Sequence, residues 1–344
     1  MKKIDLRSDT VTLPTQAMKE AVFNAELGDD VFGDDPTTNR FEQNAAGLVG
    51  KEAALLVPSG TMGNLVCVLT HCARGIEVIL GHKAHQFLHE AGGMSALGGI
   101  HPHTIPNQPD GTLRLEDIEA AVRGDNEHWP RTGLVCLENT HNACGGAPLT
   151  PDYTDSVAEL AKRHGLSVHL DGSRIFNSAV AQGVNLKELT RSVDSLTFCL
   201  SKGLSAPIGS VVCGSRKFIT EARRNRKILG GGMRQTGVIA AAGQVAIDQM
   251  LERLAEDHDN ARRLAEGIAK IPGLSVDPGQ IKTNIVYFDL AGGSVTPEEF
   301  LKRVVEKGIK FLITGPSRFR MVTHHGITAG DIDAALAVIG DVMG

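Results

Sequence analysis

Leu166-Ser167-Val168-His169-Leu170, closed by Asp171, and Ser195-Leu196-Thr197-Phe198-Cys199-Leu200, followed by Ser201-Lys202-Gly203, are the two stretches that decide the fold. Each is short, largely apolar and bounded by small polar residues, the pattern of a strand buried on both faces of a sheet. Similar runs lie at 53–57, ended by Pro58, and at 76–80, 134–137 and 210–213. Helical spacing fills the gaps. Phe41, Ala45, Leu48 and Val49 fall on one face, and Thr150-Pro151 leads through Val157, Leu160 and Ala161 to Gly165 as cap, first-turn proline, apolar stripe and terminating glycine. Strands alternating with helices predict an α/β fold, a mostly parallel sheet sandwiched by helices. Ligands of such sheets bind at the carboxyl ends of the strands, which is where Asp171 and Lys202 stand.

The remainder reads as an appendage. From Gly237 the pattern is helical through Leu251, Leu254, Ala261, Leu264 and Ile268, and it stops at Pro272-Gly273. Beyond come a strand at 285–290, a helix opened by Thr296-Pro297-Glu298-Glu299, a strand near 319–322 and a last helix from about Ala329. This predicts a large domain over 1–272 and a small C-terminal α+β domain over 273–344.

Composition removes several function classes. The 344 residues include 35 basic and 40 acidic side chains, a net charge of −5, so no global field favours nucleic acid or an anionic membrane. No apolar stretch is long enough to span a bilayer, and Met1-Lys2-Lys3-Ile4-Asp5 leads into no apolar signal segment. Six cysteines without a C-x-x-C pair, four of them (Cys67, Cys136, Cys199, Cys213) in apolar runs, predict reduced thiols in a cytoplasmic protein.

Taken alone, Asp171 reads as a helix cap or turn aspartate, and Lys202 as a strand-end lysine reaching solvent. Together, one βα unit apart, they change the reading. A lysine held neutral by burial can form a Schiff base, and a carboxylate can keep a pyridine nitrogen protonated. Those are the two requirements of a pyridoxal phosphate site. Pro58-Ser59-Gly60-Thr61-Met62-Gly63-Asn64 adds an anion site, since it follows a strand and opens a helix, offering backbone N–H groups with the Ser59 and Thr61 hydroxyls. No Walker A loop occurs, and Gly230-x-Gly232 reaches Gln235 where a dinucleotide fingerprint needs its last glycine.

Several segments in order along nearly the whole chain resemble the threonine aldolase family of fold type I pyridoxal-phosphate enzymes. They are Leu6-Arg7-Ser8-Asp9-Thr10-Val11-Thr12, the run from Gly28 to Thr37, Pro58 to Asn64, Glu138-Asn139-Thr140-His141-Asn142, Asp171-Gly172-Ser173-Arg174-Ile175-Phe176-Asn177, Leu200 to Leu204, Gly230-Gly231-Gly232-Met233-Arg234-Gln235 and Arg320-Met321-Val322-Thr323-His324. The resemblance implies that Lys202 binds the cofactor covalently, that Asp171 meets its ring nitrogen and that the Gly60-Thr61 loop cradles its phosphate. It further implies that Arg234 with Lys227 reaches the phosphate from a neighbouring subunit of a homotetramer, and that Ser8, Arg174 and Arg320 hold the substrate carboxylate. Ser173 stands where the family usually has alanine.

His85 and His89 are four apart, a spacing that could bind zinc, but Gln86 replaces the glutamate of the metalloprotease motif and no third ligand is evident. No metal is therefore expected. The resemblance stacks His85 on the cofactor ring, sets His89 near the substrate side chain, and brings His128 to the substrate hydroxyl. His85 and His128, directly or through water, are the candidate bases. Arg223-Arg224-Asn225-Arg226-Lys227 spreads around a helix and reads as a solvated surface apart from Lys227. The resemblance implies cleavage of L-threonine or L-allo-threonine to glycine and acetaldehyde.

Overall fold

The structure, a computed structural model, describes residues 3–292 and 295–344. Met1 and Lys2, part of the reading of the N-terminus, lie outside the described residues. After the short strand β1 (Ile4–Asp5), a seven-stranded sheet is built from β2 (Ala53–Val57), β3 (Glu77–Gly81), β4 (His101–Ile105), β5 (Thr132–Glu138), β6 (Ser167–Asp171), β7 (Ser195–Cys199) and β8 (Ser210–Gly214). Its spatial order is β2-β8-β7-β6-β5-β3-β4. Only β8 runs against its neighbours, so the carboxyl ends of the other strands share one edge.

The strands are where the apolar runs predict them, with β4 the exception. His101-Pro102-His103-Thr104-Ile105 is an edge strand paired only with β3, and an edge tolerates the proline and polar residues that hid it. Helices cover the sheet. Pro151–Arg163 is capped by Thr150, as its sequence predicts, and Pro36–Leu48 carries Phe41 and Ala45 into the core. The helix Gly60–His71 lies so close on β7 that a Cβ on Gly63 would sit 2.6 Å from Thr197 Cγ2. All six cysteines are free.

A second, antiparallel sheet has the order β12-β13-β10-β9, from β9 (Leu274–Ser275), β10 (Ile285–Leu290), β12 (Leu312–Ile313) and β13 (Arg318–Val322), while β11 (Ile309–Lys310) pairs with β1. Its core gathers Phe288, Phe300, Phe311 and Phe319 with Ile4, Leu6, Leu264 and Ile268. The single long helix predicted from Gly237 is two, Gly237–Gln249 and Leu254–Ile268. The first packs on the large sheet's core, the second on the phenylalanine core, and the chain must turn between them. Among the described residues no helix is long and apolar enough to cross a membrane.

Candidate active site

The carboxyl edge of the large sheet collects the chemistry. Asp171 ends β6, and Lys202 lies just past β7, the strand paired with it. Ser59, past β2, caps the helix Gly60–His71 by accepting from Met62 N at 3.2 Å. His85 opens a short helix after β3, and Glu138 ends β5. One carboxylate ties the last two together, because Glu138 accepts from His85 N and from Asn142 N, each at 2.8 Å.

Asp171 is buried and accepts only neutral donors, Asn64 Nδ2 at 2.8 Å and Ser173 N at 3.0 Å. Burial alone would raise its pKa; the charges of Lys202 and His85 and the hydrogen bonds from Ser173 outweigh that and hold it below the ordinary value. A buried anion without a cation bonded to it suits a protonated ring nitrogen. Glu90 Oε1 accepts from Asn64 Nδ2 at 2.9 Å and pairs with His85 Nδ1 at 2.8 Å. The hydrogen bond to Glu90 is the main reason His85 titrates above the ordinary histidine value, while burial raises Glu90. The donor atoms of His85, Glu90 and Asp171 lie within 4.8 Å of one another, close enough for an ion; the zinc-like spacing of the sequence, His85 with His89, instead gives two rings 5.4 Å apart.

A cluster of basic side chains adjoins this one, linked to it where Asn142 N donates to Glu138. Arg174 is buried and held by Asp9, Nε to Oδ2 and Nη2 to Oδ1, both at 2.7 Å, leaving Nη1 to Asn142 Oδ1 at 3.3 Å. Arg320 Nη1 reaches the same Asn142 oxygen at 3.1 Å, and its Nη2 donates to Arg7 O at 3.2 Å. Its Nε is buried without a partner. Asp9 meets the charge of Arg174, but among the described residues no carboxylate pairs with Arg320, which shares the Asn142 oxygen with it, and a substrate carboxylate fits that deficit. Despite burial, Arg174 holds Asp9 well below the usual carboxylate range. The segment from Arg7 to Thr12 crosses the site, with Ser8 capping its single 3-10 turn and Thr12 Oγ1 donating to Lys202 O at 3.0 Å. His89 is close enough for the charges of His85 and Arg320, added to its burial, to lower its pKa.

The structure therefore brings together Ser8, Ser59, Gly60, Thr61, His85, His89, Asp171, Arg174, Lys202 and Arg320 along one edge. It does not bring in the other three. His128 sits in a loop with its side chain 80% exposed beside Glu127. Lys227 and Arg234 are exposed, and Arg234 pairs with Asp29 at 3.0 Å. The basic run is less solvated than its spacing predicts. Arg226 is buried because its guanidinium bonds Asp30 at 2.5 Å and Leu56 O at 2.7 Å. Lys202 is only partly buried. Asp9, Asn64, Glu90 and Asn142 are functional neighbours to which sequence reasoning gave no role, although Asp9, Asn64 and Asn142 fall inside segments it singled out.

The sequence matches the beta-eliminating lyase family over residues 5–306. It is 49% identical to low-specificity L-threonine aldolase 1 of Arabidopsis thaliana, covering all of this chain and 97% of that protein, and 46% identical to the low specificity L-threonine aldolase of Escherichia coli O157:H7, covering 93% of each. The fold matches a threonine aldolase of Leishmania major with a TM-score of 0.84 at 19% identity, over 99% of this chain and all of that one. A serine palmitoyltransferase of Sphingomonas wittichii shares the fold at a TM-score of 0.78 and 18% identity, over 99% of this chain and 87% of that one. With its sheet edge, its paired arginines and its full-length relatives in agreement, the chain belongs to the beta-eliminating lyase family and, within it, to the threonine aldolases.

Proposed function

We propose that the protein cleaves L-threonine and L-allo-threonine, and other β-hydroxy-α-amino acids, to glycine and an aldehyde with pyridoxal 5'-phosphate as cofactor. The observation that carries this reading is the convergence of Arg174 and Arg320 on Asn142, which Glu138 ties to His85, at the same sheet edge as a buried Asp171 within reach of the Lys202 charge. The residues fit the cofactor. Asp171 would hold the ring-nitrogen proton, Lys202 would attach the aldehyde carbon, and the helix start at Ser59, Gly60 and Thr61 would take the phosphate. A Cβ on Gly60 would stand 2.8 Å from Cys199 Sγ, so this cradle leaves no room for a side chain there.

When bound, pyridoxal phosphate supplies an electron sink for the pair released as the Cα–Cβ bond breaks. Arg174 and Arg320, with Ser8, would bind the substrate carboxylate and so fix which bond at Cα is presented for cleavage. His85, with Nδ1 turned onto Glu90, has Nε2 left to take the hydroxyl proton, directly or through water. His89 lines the side-chain end.

In this reading His128 approaches the substrate hydroxyl, and Lys227 and Arg234 take their roles between subunits. A homotetramer in which Lys227 and Arg234 reach a neighbour's phosphate is supported by their exposure and by the apolar side chains of Leu13, Phe23, Phe32 and Ile228 left at the surface. A division near residue 272 and a cytoplasmic location complete the reading; the six free thiols support the latter. The test is aldehyde release from L-threonine and L-allo-threonine, side by side, with the cofactor supplied. Acetaldehyde and glycine in equal amounts are expected. Pyruvate from serine or cysteine without acetaldehyde would assign β-elimination instead, and no product from any of them would overturn the substrate class.

A further inference from the structure

Beneath Asp171 runs a row of polar side chains, buried except for the half-buried His71, that the proposed chemistry does not use. In the register of β6 and β7, His169 lies beside Ser195 and Asp171 beside Thr197, on the face covered by the helix Gly60–His71. Asn64, on that helix, donates one hydrogen of Nδ2 to Asp171 Oδ2 at 2.8 Å and the other to Glu90 Oε1 at 2.9 Å. Its Oδ1 is then free only to accept, and the atom beside it is His169 Nε2 at 3.2 Å. His169 must carry its hydrogen there. Burial keeps His169 neutral, so its Nδ1 accepts, from Ser195 Oγ at 2.9 Å. Ser195 Oγ in turn accepts from His71 Nε2 at 2.7 Å, and burial pushes His71 down to about 4. Every bond in the row has one possible direction, and every donor points toward Asp171.

We propose that His71, Ser195 and His169 are positioning residues for the cofactor, a one-way chain of hydrogen bonds that fixes the Asn64 amide and through it presents Asp171 to the ring nitrogen. Without the His169 donor, the buried Asn64 oxygen is left with no hydrogen bond, and the amide aimed at Asp171 is held on one side only. Aligned donors in a low-dielectric interior also polarise one another, so the chain strengthens its last bond. The inference rests on the assignment of Asp171 made above.

The test titrates the apo chain with pyridoxal phosphate and with an analogue whose ring nitrogen is replaced by carbon, following the visible absorbance of the bound ligand. Ser195→Ala removes the central hydroxyl with almost no change of volume. It is expected to weaken pyridoxal phosphate binding about three- to tenfold and to leave the analogue's affinity unchanged. His71→Phe, which keeps a ring against Phe218, is expected to act in the same direction alone and to add nothing to Ser195→Ala. Should Ser195→Ala fail to fold, His71→Phe carries the same comparison between the two ligands. Equal losses for both ligands, or no loss for either, would overturn the relay. A wild-type chain that binds both ligands alike would overturn the assignment of Asp171 and the relay with it.

Discussion

Asp9→Asn is the perturbation that tests the arginine site most directly. Asp9 is fully buried and engages Arg174 through two bonds of 2.7 Å, while Asn284 Nδ2 donates to it at 3.3 Å. An asparagine fills the same space, but one of its two terminal atoms is an NH2 group that would meet the N–H groups of Arg174, donor against donor. The guanidinium is left buried without its counter-charge, and losing one partner of such a pair costs about 3–5 kcal/mol, where an exposed pair would cost about 0–1. Urea unfolding of the apo chain should show that loss. Arg174 also loses the fork that aims Nη1 at Asn142. A charge-assisted bond contributes about 1.5–3 kcal/mol, so KM for L-threonine should rise about tenfold to a hundredfold while kcat changes less. The double variant Asp9→Asn with Arg174→Gln should recover stability, because no unpaired charge remains, and should not recover KM. A single variant with unchanged stability and unchanged KM would refute the claim that Asp9 holds Arg174 for substrate.

Three further outcomes follow from the site and its surroundings. Gly60→Ala should weaken pyridoxal phosphate binding, since its Cβ would meet Cys199 Sγ, itself bonded to Ser173 Oγ at 3.4 Å and Ser210 Oγ at 3.3 Å; adding Cys199→Ala should restore affinity, and unaltered binding by the single variant would show the close fit to be dispensable. Glu90→Gln removes the main group raising His85, so the acid limb of kcat/KM should move to lower pH, and a limb that stays put would remove His85 as the essential base. His258, buried and bonded by Asn177, is held neutral down to about 4, chiefly by burial. The unfolded chain therefore takes up its proton first. The stability from this group is complete above pH 6.5 and falls away toward pH 4, about 3 kcal/mol in all. The gap in unfolding free energy between wild type and His258→Gln should narrow by that amount over the window, and a constant gap would contradict it.

Asp171 and Lys202 were legible because each ends a run of strand-forming residues, and chain order alone sets both at the same edge of a parallel sheet. Their partners obey no such one-dimensional rule. Asn142 matters because Arg174 and Arg320, far apart in the chain, converge on it, and Asp9 because the N-terminal segment folds back over β6. Arg226 looked solvated for the same reason, since Asp30 lies on a distant loop. Helix continuity past Met250 failed because which core a helix face meets is a tertiary fact, and the two halves serve different cores.

The relay is an intermediate case, and it shows where a sequence holds more than apolar runs suggest. In Leu166-Ser167-Val168-His169-Leu170-Asp171, His169 stands two residues before Asp171, and the period of a strand puts both on one face. A histidine inside an otherwise apolar buried strand must find hydrogen-bond partners or cost several kcal/mol, about 2–7 for an unpaired polar group. The neighbouring run offers Ser195 and Thr197, again two apart, and parallel pairing sets them beside His169 and Asp171. The polar residues in these two strands were therefore a signal of their own. They mark the face on which a buried charge is to be held, and only the partner helix, with Asn64 and His71 on it, had to come from the fold.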